Sequence, residues 1–102
     1  MRLFGYLILL SAGVLPGGLS RQNIIIDTDI FSDVDDIGAL AVANVCHNLG
    51  LVDLKGVAIN TRSKYGALAA SVINTYFGNA HIPIAAIRPF TNETFLDTWD
   101  YT

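Results

Sequence analysis

The sequence predicts an α/β fold, a β-α-β-α-β unit that forms the first part of an open, mostly parallel sheet. Three observations predict it. Ile24, Ile25 and Ile26 run without polar alternation into Asp27, as in a strand covered on both faces. Apolar residues then recur at three- and four-residue spacing, first from Ile37 to Leu49 and again from Tyr65 to Tyr76, which is the period of a helix. Two further apolar runs, Leu51 to Asn60 and Ile82 to Ile87, have the length of strands.

The first strand is expected over Asn23 to Asp27. The helix after it begins at Asp35 and Asp36, where acidic side chains suit the positive end of the helix dipole. Ile37, Leu40, Ala41, Val45 and Leu49 make its apolar face, and Gly50 is placed to cap it. In the second strand Asp53 and Lys55 alternate outward before a wholly apolar end. Thr61 or Ser63 then caps a second helix, whose apolar face is Tyr65, Leu68, Ala69, Val72, Ile73 and Tyr76 and which ends at Gly78. Pro83 sits at the start of the third strand, where a missing N–H is tolerated. Beyond Pro89 the pattern fades into a polar and aromatic stretch. Three parallel strands and two helices are the N-terminal portion of a Rossmann-like sheet, so the chain reads as part of a larger α/β domain. The open sheet edge makes self-association an expectation.

Composition bounds the function. The chain has 102 residues, 52% of them hydrophobic and 15% charged, room for one small domain. Residues 1–20 carry one positive charge at Arg2, an apolar run from Leu3 to Leu15 and then a Pro/Gly break. This is the layout of a secretory signal peptide, implying export; the run is short for a membrane span. Residues 21–102 would then be the mature domain, acidic and without the basic stripe of a nucleic-acid binder. Cys46 is the single cysteine, so no internal disulfide can form, and it is expected as a small buried helix residue. Asn92-Glu93-Thr94 is an N-glycosylation sequon, which if used puts Asn92 on the surface.

Asp27, Asp29, Asp33, Asp35 and Asp36 lie within ten positions and hold more than half of the nine acidic residues of the chain. Like charges that close disfavour joint ionisation, and a bound cation is the usual remedy. The loop also follows the carboxyl end of a buried strand, where open α/β sheets bind their ligands. Asn60 ends the second strand and Arg88 the third, so both should converge on it. Hard oxygen donors suit Ca²⁺ or Mg²⁺ rather than zinc. His47 and His81 have no ligand partner at helical spacing and are expected as surface or capping residues. An EF-hand does not fit: counted from Asp27, the glycine position is Ser32, and counted from Asp33, the final glutamate position is Asn44.

The run Ile-Ile-Ile-Asp-Thr-Asp-x-x-Ser-Asp-Val-Asp-Asp-x-x-Ala-Leu, residues 24–40, resembles the N-terminal signature of the inosine–uridine-preferring nucleoside hydrolases. The resemblance continues through Gly56-Val-Ala-Ile-Asn60 and Ile82-Pro-Ile-Ala85 and covers residues 23–89. It implies the nucleoside hydrolase fold and cleavage of the N-glycosidic bond of ribonucleosides, giving ribose and free base, with Ca²⁺ held by aspartates. By the same resemblance Asp29 is the general base and a calcium ligand, Asp36 a bidentate ligand, and Asp27 an outer ligand or brace. Asp35 and Asn60 would bind the ribose hydroxyls. No role is implied for Asp33, and the base preference stays open. Full members of that family are longer, and their remaining calcium ligands and leaving-group histidine would lie beyond Thr102. The spacer Ile30 to Val34 is two residues longer than the short family form. Phe31 stands where the longer branch has glycine, so a loop needing positive φ there would be strained.

Two other readings compete. Haloacid-dehalogenase-type phosphatases also place Asp-x-Asp after an apolar strand, with Mg²⁺, but continue with Gly-Thr where this chain has Ile30-Phe31. A non-catalytic metal- or sugar-binding domain needs only the loop.

Overall fold

A computed structural model of the chain describes residues 20–31 and 34–93. The expected signal segment therefore lies outside the described residues except at Ser20, as does Asp33. The elements run β1 (Gln22–Thr28), α1 (Asp35–Asn48), β2 (Val52–Ile59), α2 (Lys64–Tyr76) and β3 (Ile84–Ala86). The three strands form one parallel sheet in the order β1-β2-β3, the expected β-α-β-α-β unit. The third strand is shorter than its apolar run: Pro83 has no N–H for the ladder, although its carbonyl accepts from Val57 N–H at 3.0 Å.

The helix ends follow their capping residues. Gly50 (φ +74°) and Gly78 (φ +81°) occupy the left-handed region that glycine reaches without strain. The Leu51 N–H donates back to Cys46 O at 2.9 Å, closing the end of α1. Ser63, and not Thr61, caps α2: its Oγ accepts from Tyr65 N–H at 3.3 Å. The same Oγ donates to Glu93 O at 2.6 Å, tying the segment after β3 to the start of α2.

Both helices cover one face of the sheet. Ile30, Leu40, Val57, Ile59 and Ala70 form a single buried cluster that joins α1, α2 and β2; Ala43, Leu54 and Ile82 form a second. This corrects two expectations. The isoleucine run is not covered on both faces, because Ile25 points away from the helices and is 69% exposed. The buried helix faces are also only partly those predicted: Leu40 is buried as expected, and Ala69 and Ile73 pack partly buried against the core. In α1 the buried residues are Leu40, Ala43 and Asn44, while Ile37, Val45 and Leu49 are exposed. In α2 they are Gly66, Ala70 and Asn74, while Tyr65, Leu68, Val72 and Tyr76 are exposed. Small residues let the helices approach each other and the sheet closely, and buried asparagines bridge between them. Asn44 Nδ2 donates to Asn74 Oδ1 at 2.9 Å, and Asn79 Nδ2 donates to Asn44 Oδ1 at 2.8 Å.

Gly66 marks the tightest approach. A Cβ there would stand 2.9 Å from Thr61 Oγ1, 3.0 Å from Ile59 Cγ2 and 3.4 Å from Ile30 O. Gly66→Ala gains about 1 kcal/mol of helix propensity but overpacks a site with backbone on one side, at about 1–3 kcal/mol. A lower thermal midpoint is expected, and a rise would show that the α2–sheet contact relaxes freely.

Two single residues also depart from expectation. His47 is neither a surface nor a capping residue: it is half-buried and its Nδ1 accepts from Leu54 N–H at 3.1 Å, linking α1 to β2. Cys46 is half-buried rather than buried.

Candidate functional site

The polar groups collect where β1 and β2 end. Side chains alternate along a strand, so Ile26 and Thr28 turn toward the helices while Asp27 turns to the open face. Asn60 follows β2 directly. Its backbone N–H donates to Thr28 O at 2.9 Å, and its side-chain Nδ2 donates to Asp27 Oδ1 at 3.1 Å. The structure thus joins two of the predicted residues. The Asn60 Oδ1 accepts no hydrogen bond among the described residues, and such an oxygen suits a hydroxyl or a cation.

Asp36 is the second residue of α1. Its Oδ1 accepts from Thr28 Oγ1 at 2.6 Å, so the start of α1 is tied to the end of β1. Asp35 Oδ1 accepts from Asp36 N–H at 3.1 Å and is exposed. Asp29 stands just past β1, exposed, and has no hydrogen-bond or ion-pair partner among the described residues. Ile30 turns back into the core at 5% exposure, which fixes the path of the chain on either side of Asp29.

Phe31 is not strained: among the described residues no non-glycine has positive φ. Its side chain lines an open cleft of about 220 Å³ together with Thr61, Arg62, Ser63 and Glu93, beside the aspartate loop. Arg88 does not join the site. Its guanidinium lies over the Phe90 ring, 4.5 Å from the centroid, and it makes no ion pair with the loop among the described residues. Asn92 is exposed, as a modified asparagine must be.

The donors fit a hard cation in kind, all of them carboxylate or amide oxygens. In number they do not close a site: among the described residues no group of three or more His, Cys, Asp or Glu side chains stands together closely enough to hold a metal ion. The histidines lie elsewhere. In the last turn of α1, His47 approaches His81 with ring centroids 6.4 Å apart, and its Nδ1 is 3.8 Å from Asp53 Oδ1. Lys55 hydrogen-bonds Asp53 and holds its carboxyl below the usual range.

Thr28 is the residue that sequence reasoning missed. It is 4% exposed and touches Asp36 directly. The signal was its parity: between Asp27 and Asp29 in a strand, its side chain must face the helices. No family model matches the chain, and no curated protein or solved structure shows significant similarity to it. No helix of the described residues is long and apolar enough to cross a membrane.

Proposed function

We propose that the chain carries the aspartate half of a nucleoside N-ribohydrolase site in the nucleoside hydrolase fold, acting on a small-molecule nucleoside in a secreted protein. The observation that supports this best is the convergence at one sheet edge. Asp27 and Asn60 are hydrogen-bonded to each other, Asp36 is held against the strand end, and Asp29 is left with its carboxylate exposed.

In this reading Asp27, Asp29 and Asp36 would each contribute a ligand to Ca²⁺, although among the described residues they do not stand together closely enough to hold it by themselves. When bound, that ion lowers the pKa of a coordinated water and grips a sugar diol. Asp29 would accept a proton from an attacking water. Asp35 and the Asn60 side chain bind the ribose hydroxyls and orient the anomeric carbon toward that water. The surrounding carboxylates stabilise the positive charge that develops on the sugar as the bond to the base breaks.

Incubation with inosine or uridine and Ca²⁺ is expected to release ribose, and excess chelator to stop it. Calcium binding with no ribose release under any condition would instead favour a non-catalytic cation- or sugar-binding domain.

A further inference from the structure

We infer that the outer face of α2 is a docking surface for a second copy of the chain, which packs its own α2 antiparallel against it across a two-fold axis. The inference depends neither on the aspartate loop nor on any ligand.

The surface is a continuous apolar stripe turned away from the core. With about 3.6 residues per turn, Tyr65, Leu68, Val72 and Tyr76 fall within roughly a quarter of the helix circumference. Gly66, Ala70 and Asn74, the buried residues of α2, lie on the opposite side. The four stripe residues are 45%, 59%, 68% and 83% exposed. Apolar side chains at this spacing form the face that a helix ordinarily buries, and contiguous exposed apolar surface marks an interaction site. On the neighbouring α1, Val42 and Leu49 are also exposed and lie on the side away from its own buried residues. On the open face of the sheet, by contrast, the exposed Ile25 stands beside the charge of Asp27.

Pattern, charge and area select a copy of the same helix as the occupant. The stripe reads alike in both directions: aromatic, aliphatic, aliphatic, aromatic. An antiparallel two-fold near Ala70 sets Tyr65 opposite Tyr76 of the second copy and Leu68 opposite Val72 of the second copy, the self-complementary pattern of an isologous contact. The chain as a whole carries a net charge of −3, which repels a second copy, but Lys64 is the only charged residue of α2. The antiparallel arrangement brings Lys64 to the C-terminal end of the second α2, where unpaired carbonyls favour a cation. Lys64 Nζ lies 5.1 Å from the centroid of the Tyr65 ring, so this charge stands at the end of the stripe and not across it. A tyrosine buries about 150–250 Å², so the stripe supplies on the order of a few hundred Å² per copy. That is less than the about 800 Å² per partner of a stable interface, and it suits a weak dimer that forms as concentration rises.

The test is sedimentation equilibrium of the full chain from micromolar to millimolar concentration, for wild type, Leu68→Lys and Val72→Glu. Wild type is expected to pass from monomer to dimer across that range, and each variant to need a concentration higher by about 10-fold or more. Mixing the two variants is expected to restore dimers. In the mixed pair the new ammonium at position 68 meets the new carboxylate at position 72, and the other Leu68–Val72 contact is unchanged. Both positions are exposed, so circular dichroism is expected to show both variants folded. Should either unfold, Leu68→Ser or Val72→Ser replaces it, with the same weakening expected. A wild-type chain that is monomeric at every concentration overturns the inference, whatever else covers the stripe. A dimer that neither substitution weakens also overturns it and moves the contact to the open sheet edge. Variants that weaken the dimer singly and fail to restore it together overturn the antiparallel pairing.

Discussion

Replacing Asp29 by Asn is expected to reduce ribose release from inosine by about 10²- to 10⁴-fold, the usual contribution of a positioned general base, and to leave the thermal midpoint near that of wild type. The two halves have separate grounds. Asp29 is exposed and bonds to nothing among the described residues, so the fold does not depend on it, and exposed substitutions of that kind usually stay within about 0.5 kcal/mol. Asn is nearly isosteric but cannot take up a proton near neutral pH. The neighbouring aspartates should behave otherwise. Asp27 holds Asn60 and Asp36 holds Thr28, so truncating either to Ala should cost stability as well as activity. Parallel melts and ribose assays on the three variants give the comparison. An Asp29→Asn protein that retains activity would remove the general-base role; one that melts far below wild type would show that Asp29 has a structural partner.

The element order was legible because each element carries its own punctuation. Ile24 to Ile26 states a strand, Gly50 and Gly78 end the helices, and Ser63 begins the second one. The Asp27–Asn60 pair was legible too, since parallel strands put their carboxyl ends side by side. The helix faces were legible only in part: Leu40 was expected inward and is buried. In α1 Leu40 belongs both to the expected stripe with Ile37, Val45 and Leu49 and to the buried one with Ala43 and Asn44, and periodicity cannot rank the two. The second stripe is buried because small residues allow closer contact and because the cost of burying Asn44 is offset by partners on α2 and beyond it, which only the folded arrangement supplies. The same reason hid His47, whose partner is the backbone N–H of Leu54, and Thr28, whose partner lies across the loop. A residue whose role is to satisfy a distant polar group leaves no local pattern.

That polar bridge makes Asn44 the most sensitive position in the described core. It is fully buried and central to three hydrogen bonds. Its Nδ2 donates to Leu40 O and to Asn74 Oδ1, both at 2.9 Å, and its Oδ1 accepts from Asn79 Nδ2 at 2.8 Å. Asn79 has a second acceptor in Asn48 Oδ1 at 2.9 Å. Asn74 has no such reserve: it is 1% exposed and its Nδ2 already lacks a partner among the described residues. Asn44→Ala would therefore leave the whole Asn74 amide unpaired and open a cavity beside it. An orphaned buried group costs about 1–3 kcal/mol, and the void adds to that, so a loss of about 2–5 kcal/mol is expected in urea unfolding. Marginally stable domains have only about 5–15 kcal/mol in total, so this change should unfold a large fraction of molecules at moderate temperature. The double variant Asn44→Leu/Asn74→Leu discriminates the cause. Replacing both partners by apolar groups of similar size can be nearly neutral, so it is expected to be more stable than Asn44→Ala although it alters more of the core. If the double variant is the weaker of the two, loss of packing shape rather than the unpaired Asn74 amide sets the cost.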